Sequence, residues 1–291
     1  MFKAFRSIIY VSCAMAVSFG FFENAYGQQV RWHDETTDTL RITKMLTETV
    51  DGGERDAHKL TATFGRMFLG TPYVAHTLEG DSELLTVNLS ELDCTTFVET
   101  AAALAMTAAE GRSSWRDFVY NLERLRYRNG EMNGYPSRLH YICDWILNNS
   151  FRGVLEDATT RMPSVSYIVK SIDFMSANRD RYPALANDSV YECIRNVEGA
   201  YRNYRFPYVK SMNVDDKQTK NALREGDILA FTSNIKNLDV THMGILVMKD
   251  GEPRVLHASS TEGKVVISDL ALHDFLKRNR QFTGIRVIRL K

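Results

Sequence analysis

The chain has 291 residues, of which 44% are apolar and 25% charged, and its 36 basic side chains balance its 36 acidic ones. These values are those of an ordinary globular protein with a sizeable core. The even balance of charge lacks the basic footprint of a nucleic-acid-binding protein, so nucleic acid is not expected as a partner.

Residues 1–27 predict a secretory signal peptide. Lys3 and Arg6 supply a positive start, residues 8–22 form an apolar run, and Ala25-Tyr26-Gly27 resembles a cleavage site with small residues. The run is shorter than the roughly 20 residues of a membrane-spanning helix, and an uncleaved anchor is the alternative. We therefore expect an exported protein without an integral membrane segment after cleavage, with one domain over residues 28–291.

After cleavage the chain keeps three cysteines, Cys94, Cys143 and Cys193. In an exported protein an odd number fits either one disulfide with a free thiol or three free thiols. Pairing of Cys143 with Cys193 would leave Cys94 free, and the sequence permits both arrangements.

Hydrophobic periodicity divides the chain into a helical part and a strand-rich part. Helices are expected over 37–50, 54–69, 115–128, 138–149 and 189–204, and strands over 84–89 and 164–173. From Leu223 onward, short strands are expected over 227–231, 242–248, 254–257, 264–267 and 284–290, with a helix over 270–279. Helices followed by a meander of antiparallel strands indicate an α+β fold.

A further helix is expected to begin at Cys94. Asp93 is a typical N-cap, and Phe97, Ala101 and Leu104 recur at helical spacing. The positive end of a helix favours the nucleophilic thiolate, whereas the neighbouring carboxylate of Asp93 opposes it. The alternative is a free cysteine that packs as a small hydrophobic side chain.

Two histidines lie at matching ends of predicted strands. His242 begins one strand, His257 ends the next, and a turn at Asp250-Gly251 joins the two. An antiparallel pairing would bring both imidazoles to one end of the sheet, where the Cys94 helix can dock. A cysteine nucleophile needs such a base and a group that orients it. Each histidine could instead be structural or solvent-exposed.

Four segments in order resemble the NlpC-type papain-like cell-wall peptidases and amidases. They are Leu-Gly-Thr-Pro-Tyr-Val (69–74), Asp-Cys-Thr-Thr-Phe-Val (93–98), the Gly-Asp strand (223–231) and the two histidine strands (242–245 and 256–260). The chain departs from this family by Thr95 and Thr96 in place of Ser and Gly, and by His76 in a lengthened gap before Cys94. Residues 111–221 form a large mixed insertion that is similar to the N-acetylmuramoyl-L-alanine amidase-like branch, whose members are exported by Gram-negative bacteria.

The resemblance implies a papain-like α+β fold in which the nucleophile helix packs on an antiparallel sheet. It implies that Cys94 is the nucleophile, that His242 is the general base and then acid, and that His257 orients His242. The backbone N–H of Cys94 and the Tyr73 hydroxyl would form the oxyanion hole, with Asp93 and Thr95 beside it.

The insertion is expected to form a wall of the substrate cleft. Its aromatic side chains can offer flat faces to sugar rings, and its arginines can hold the carboxylates of a stem peptide. The candidates are Tyr127, Tyr135, Tyr141, Trp145, Arg126, Arg128 and Arg138. For Tyr141 and Trp145, which lie one helical turn apart, the alternative is a position in the core.

The expected function is hydrolysis of the amide between N-acetylmuramic acid and L-alanine in peptidoglycan fragments, through a cysteine thioester, in the periplasm of a Gram-negative bacterium. One alternative is a DL-endopeptidase that cleaves the bond between γ-D-Glu and the diamino acid. Another is a silent wall-binding module, in which iodoacetamide would not label Cys94 preferentially near neutral pH. The chain has no His-Glu-x-x-His and no Cys-x-x-Cys, so neither a metal nor another cofactor is expected.

Overall fold

A computed structural model describes residues 30–291, so the signal peptide predicted at 1–27 lies outside the described residues. The α-helices in this range are α1 (Glu35–Asp51), α2 (Ala57–Arg66), α3 (Cys94–Ala109), α4 (Trp115–Arg126), α5 (Ile142–Phe151), α6 (Phe174–Ala177), α7 (Asp188–Ala200), α8 (Lys217–Ala222) and α9 (Leu272–Arg278). The β-strands are β1 (Val30–Trp32), β2 (Leu85–Val87), β3 (Leu155–Asp157), β4 (Val165–Val169), β5 (Arg205–Lys210), β6 (Ile228–Ser233), β7 (Val240–Lys249), β8 (Glu252–Ser259), β9 (Lys264–Ala271) and β10 (Phe282–Leu290).

An eight-stranded antiparallel sheet forms the centre of the fold, and the predicted α+β class is confirmed. Its strands follow the order β4-β5-β10-β6-β7-β8-β9, and β3 pairs with the C-terminal end of β10. The long strand β10 has β6 on one side, and on the other side it pairs with β5 near its start and with β3 near its end. Residues 111–221 thus contribute three strands to the sheet. The sequence predicted one of them, β4.

The two faces of the sheet are covered by different helices. Side chains alternate between the faces along each strand. Ala230, Met243 and Ile245 belong to the core that includes residues of α2 and α3, whereas Leu229 and Leu246 belong to the core that includes residues of α9. Helix α3 is buried on nearly all sides, and its many alanines allow close packing against its neighbours.

The hairpin between β7 and β8 fixes the positions of the two histidines. Asp250 and Gly251 have φ of 56° and 78°, as the turn predicted at this Asp-Gly pair requires. The resulting register pairs Lys249 with Glu252 and Ile245 with Leu256. Continued by one residue, this register places His257 opposite Gly244, on the same sheet face as His242.

A buried carboxylate joins the start of β6 to its neighbours. Asp227 accepts hydrogen bonds from His58 Nε2 at 3.0 Å, from Arg289 Nε at 2.7 Å and from the Arg224 N–H at 2.8 Å. Burial acts to raise the pKa of Asp227, but the hydrogen bonds from His58 and Arg289 outweigh it and lower this pKa. Gly226 precedes it at φ 95°, where an added Cβ would lie 2.1 Å from the His58 carbonyl oxygen.

All three cysteines of the described range are free thiols, which decides between the two arrangements that the sequence allowed. Cys143 is buried near the start of α5 and Cys193 is exposed on α7. Within residues 30–291, no helix combines the length and the apolar character needed to cross a membrane.

Candidate active site

Cys94 is the first residue of α3, and a capping box fixes this end of the helix. Asp93 Oδ1 accepts hydrogen bonds from the N–H groups of Thr95 at 2.9 Å and Thr96 at 2.8 Å. The Thr96 hydroxyl accepts in return from the Asp93 N–H at 2.9 Å. The expected helix start at Cys94 is therefore confirmed. The carboxylate of Asp93 acts here as a cap, and an ionised carboxylate cannot donate to an oxyanion.

The Cys94 sulfur lies against strand β7. The backbone N–H of Met243, the residue that follows His242, donates a hydrogen bond to the sulfur, and the Thr95 hydroxyl lies 4.0 Å from it. The pKa of the Cys94 thiol is raised to about 11, mainly by burial and also by the Asp93 carboxylate, while the hydrogen bond from the Met243 N–H opposes both. Although Cys94 keeps some contact with solvent, its resting form at neutral pH is the thiol.

His242 and His257 form a hydrogen-bonded pair. His242 Nε2 lies 2.8 Å from His257 Nδ1, and the two ring planes are nearly perpendicular. If His242 carries its proton on Nε2 and donates it to His257, the lone pair on His242 Nδ1 is left as the basic site. The register of the hairpin thus unites two of the three residues expected to act in catalysis.

Three phenylalanines surround the histidine pair. Phe282 stacks parallel to the His242 ring at a centroid distance of 6.1 Å, Phe231 lies 5.5 Å away, and Phe275 of α9 packs edge-on against His257 at 5.2 Å. Burial lowers the pKa of His242 to about 3, with a further contribution from His257, and burial lowers the pKa of His257 to about 4. Both imidazoles are therefore neutral at physiological pH.

Tyr73 lies in a segment that passes beside the nucleophile. Its N–H donates to the Gly263 carbonyl at 2.9 Å, and the segment pairs with Leu92, two residues before Cys94. Burial raises the pKa of the Tyr73 hydroxyl, and the proximity of two further acidic groups, Cys94 and Asp93, raises it further. The hydroxyl is therefore protonated and able to donate a hydrogen bond close to the sulfur.

Tyr135 and Arg138 belong to a separate cluster that links residues 135–138 to residues 74–84. Arg138 is buried, with Nη2 at 2.7 Å from Glu79 and Nε at 3.5 Å from Glu83, and its guanidinium lies 4.8 Å from the Tyr135 ring centre. Burial raises the pKa of Tyr135 to about 12. Among the described contacts, none joins this cluster to Cys94. The Arg138 charge is compensated inside the protein.

The other candidate residues between 111 and 221 also form contacts inside the protein. Arg126 is buried in an ion pair with Glu99, at 2.6 Å, and Arg128 pairs with Asp144. Trp145 is fully buried and the Tyr141 hydroxyl donates to Glu198, so both belong to the core, as the alternative reading proposed. Local sequence patterns do not predict these two ion pairs, because the acidic partners of Arg126 and Arg128 lie 27 and 16 positions away along the chain.

Sequence reasoning missed the phenylalanines and the Met243 N–H. The position of Phe231 follows from the strand register, because the pairing of Ala230 with Met243 places Phe231 opposite His242. Phe275 and Phe282 reach the same place from a helix and a distant strand, and no local pattern indicates this.

The raised pKa predicts how Cys94 reacts with an alkylating agent. In a Cys193→Ala variant, the rate of Cys94 alkylation by iodoacetamide should rise about tenfold per pH unit above pH 7 and level off near pH 11, because only the thiolate reacts. Mass spectrometry of timed samples measures this rate. A plateau already reached at pH 7 would contradict a neutral resting thiol. Slow labelling of Cys94 by iodoacetamide at neutral pH is therefore expected of an active enzyme too, and it does not identify the silent wall-binding module considered from the sequence.

A family model described as N-acetylmuramoyl-L-alanine amidase-like (AmiA-like) matches residues 63–285. The chain is similar to the crystal structure of an N-acetylmuramoyl-L-alanine amidase from Bacteroides uniformis, with 40% identity over 80% of this chain and 99% of that chain, and a TM-score of 0.73.

Two further solved structures resemble the chain. One is named a putative xylanase from Bacteroides fragilis, with 40% identity over 79% of this chain and 100% of that chain, and a TM-score of 0.73. The other is a protein from Legionella pneumophila, with 21% identity over 88% of this chain and 95% of that chain, and a TM-score of 0.66, a likeness of fold alone. No curated protein matches the sequence.

Proposed function

Because the chain belongs to the N-acetylmuramoyl-L-alanine amidase-like family, we propose that it hydrolyses the amide bond between N-acetylmuramic acid and L-alanine through a thioester on Cys94. Its substrates would be peptidoglycan fragments. The observation that supports the mechanism is the hydrogen bond from the Met243 N–H to the Cys94 sulfur, because Met243 directly follows His242 in β7. Among the described contacts, none joins the sulfur to the His242 ring, so the proposed proton transfer requires the ring and the sulfur to approach each other when substrate binds.

In the first half of the reaction, the Cys94 sulfur attacks the carbonyl carbon of the lactyl group, and the thiol proton passes to Nδ1 of His242. The amide C–N bond then breaks, and His242 returns this proton to the departing amine of L-alanine. In the second half, His242 takes a proton from water, the resulting hydroxide attacks the thioester, and the thiol is regenerated with the lactyl carboxylic acid.

Because Cys94 and His242 are both neutral at rest, the thiol proton must move to His242 while the sulfur attacks the carbonyl carbon. This transfer creates a negative thiolate or oxyanion next to a positive imidazolium. The two charges attract each other strongly because Phe231, Phe275 and Phe282 line the site and make its dielectric constant low. The N–H of Met243 and the N-terminal end of α3 stabilise the negative member. His257 would hold the proton of His242 on Nε2, which leaves Nδ1 of His242 as the free basic nitrogen.

The oxyanion that forms during attack would be stabilised by the Cys94 N–H and the Tyr73 hydroxyl. Tyr73→Phe should lower kcat by roughly 10²-fold to 10³-fold, because it removes one preorganised donor but leaves the nucleophile and base in place. Steady-state kinetics on a defined muropeptide measures this loss. Tyr120→Phe, which changes an exposed tyrosine on α4, is the control. Equal kinetics of Tyr73→Phe and wild type would remove Tyr73 from the oxyanion hole.

The site favours acyl transfer over glycoside hydrolysis, the activity suggested by the name of the Bacteroides fragilis protein. Glycosidases flank the scissile bond with two carboxylates. In the described structure, His242 and His257 hydrogen-bond to each other and pack against Phe231, Phe275 and Phe282, and no carboxylate forms a hydrogen bond or ion pair with either imidazole. A digest of xylan oligosaccharides beside muropeptides tests this preference directly.

The products of a muropeptide digest show which bond is cleaved. Digestion of a muropeptide with a tripeptide stem should release the free sugar and an intact tripeptide, detected by mass spectrometry. A sugar that keeps a dipeptide would instead identify a DL-endopeptidase and defeat the amidase proposal. Complete absence of turnover by the wild-type protein, with retained binding to wall fragments, would identify a wall-binding module.

The proposed function goes with a proposed domain architecture and a proposed cellular location of the protein. Residues 28–291 would form one papain-like domain in which 111–221 border the substrate cleft. Arg138 would then act by holding residues 74–84 beside Tyr73 through Glu79 and Glu83, and Tyr135 by packing on Arg138. A signal peptide over 1–27 would direct the protein to the periplasm, and peptidoglycan fragments would be its partners there.

A further inference from the structure

Strand β7 contains an irregularity directly before the proposed base, His242. Phe231 of β6 pairs with His242, but the next residue of β6 pairs with Val240. Thr241 is therefore an extra residue between the two pairs, a β-bulge, and a bulge changes the direction of the side chains beside it. The place of the bulge matters, because a shift of the pairing by one residue would turn His242 to the other face of the sheet.

The bulge is not stabilised by its own side chain. The Thr241 hydroxyl is buried and has no hydrogen-bond partner within residues 30–291. A buried polar group without a partner is costly, and such an arrangement persists only where the surrounding structure holds it in place. Contacts from outside β7 are therefore needed to keep the bulge at this position.

Asp239, two residues before the bulge, is bound to helix α5. It is buried, and its Oδ2 accepts a hydrogen bond from the Cys143 N–H at 2.6 Å. Cys143 is the second residue of α5, and the side chain of the N-cap residue, Tyr141, makes no capping hydrogen bond. The N–H groups of a first helical turn need acceptors. Asp239 therefore supplies, from 96 positions away along the chain, the acceptor that this helix lacks locally.

Two further contacts hold the same segment. The Asp239 carbonyl accepts a hydrogen bond from the Ser233 N–H, at the end of β6, at 2.9 Å. Lys170 Nζ donates to the Leu238 carbonyl at 2.5 Å and to the Ser233 carbonyl at 2.7 Å. Residues 238–239 are thus fixed to α5, to β6 and to the residue that follows β4.

We propose that Asp239 is a positioning residue for the base, with Lys170 as its support. By capping α5 it fixes the bulge, and the bulge directs the His242 ring toward its hydrogen-bond partner, His257. The consequence for hydrolysis rests on the proposed function, whereas the consequence for the histidine pair does not.

Kinetics tests the effect of Asp239 on the base. Asp239→Ala removes the acceptor and should lower kcat on a muropeptide by about 10-fold to 100-fold, because a displaced base transfers the proton poorly. KM should stay within about twofold, since Asp239 is expected to make no contact with substrate. Asp239→Asn keeps an oxygen for the Cys143 N–H, so its kcat should lie within about threefold of wild type.

Asn149→Ala is the matched control for loss of stability through α5. The buried Asn149 amide donates to the Leu125 and Trp145 carbonyls, both at 2.9 Å, at the other end of the helix. Its removal should lower Tm, as Asp239→Ala does, but leave kcat unchanged. Thermal unfolding measures Tm for all variants.

The imidazoles can be observed without turnover. In protein with ¹⁵N-labelled histidine, long-range ¹H–¹⁵N correlation spectra should show His242 in one tautomer, held by its bond to His257. Comparison with His242→Gln assigns the resonances. In Asp239→Ala the two ring nitrogens should shift toward each other, as in a ring that exchanges between tautomers, while Asp239→Asn and Asn149→Ala should match wild type.

Wild-type imidazole resonances in a folded Asp239→Ala protein would overturn the proposal, whatever its kcat, and so would the same shift in Asn149→Ala. If Asp239→Ala does not fold, Lys170→Met decides. It should shift the His242 resonances in the same direction, and unchanged resonances would overturn the proposal. A wild-type protein that hydrolyses no muropeptide would defeat the proposed function, and the resonances alone would then decide the role of Asp239.

Discussion

Replacing Cys94 by alanine is expected to reduce muropeptide hydrolysis by on the order of 10⁴-fold or more in kcat, down to the background of the assay. The reason is that the substitution removes the atom that forms the covalent intermediate, and neither His242 nor Tyr73 can supply another nucleophile. The fold should persist, because the capping box at the start of α3 uses Asp93 and Thr96, and the Cys94 side chain takes no part in it. Liquid chromatography with mass detection of timed digests measures the rate.

Cys193→Ala is the matched control, since this thiol is exposed on α7 and far along the chain from the proposed chemistry. It should leave kcat unchanged. Thermal unfolding of both variants verifies that they fold. A Cys94→Ala protein that still releases tripeptide at the wild-type rate would remove the thioester from the mechanism, and with it the role assigned to His242.

Replacing His242 by glutamine is expected to lower kcat by roughly 10³-fold to 10⁴-fold, because the thiol has a raised pKa and loses the base that accepts its proton. The pH dependence should change as well. Residual activity of His242→Gln should rise with pH toward about 11, as solvent hydroxide replaces the missing base. The wild-type protein should vary much less across neutral pH, because the pKa of His242 is lowered to about 3.

The substitution His257→Asn tests whether His257 orients His242 and leaves proton transfer to His242. The introduced amide keeps an acceptor near His242 Nε2, so a loss of about 10²-fold is expected, milder than that of His242→Gln. His33→Gln, at a partly exposed histidine outside the pair, is the control and should be silent. A His257 variant more impaired than the His242 variant, with both folded, would reverse the two assignments.

Several features of the fold follow from local chemistry. The Asp-Gly turn at 250–251 requires two residues with positive φ, and this alone fixes the register that brings His242 and His257 together. The N-cap at Asp93 places Cys94 at the first position of its helix in the same local way. Short-range periodicity indicated α1, α2, α4 and α7 with ends shifted by a few residues.

Between residues 111 and 221, local sequence patterns predict less of the structure. Strand β3 has only three residues and pairs with β10, whereas β5 lies between β4 and β10 and pairs with both. Their sequences carry no strong alternation that would reveal this. The arginines expected to hold substrate are instead paired with Glu99, Asp144, Glu79 and Glu83, which the fold brings to them from other segments.

The sequence by itself determined which residues carry the candidate chemistry and at which helix or strand end each one lies, because caps, turns and hydrophobic repeats act over a few residues. Only the tertiary structure decided the protonation of those residues. Cys94 is a thiol and His242 a neutral imidazole at rest because protein atoms from α3, β7, α9 and β10 remove water from around them. Desolvation depends on every group that the fold brings near an atom, and spacing along the chain does not encode it.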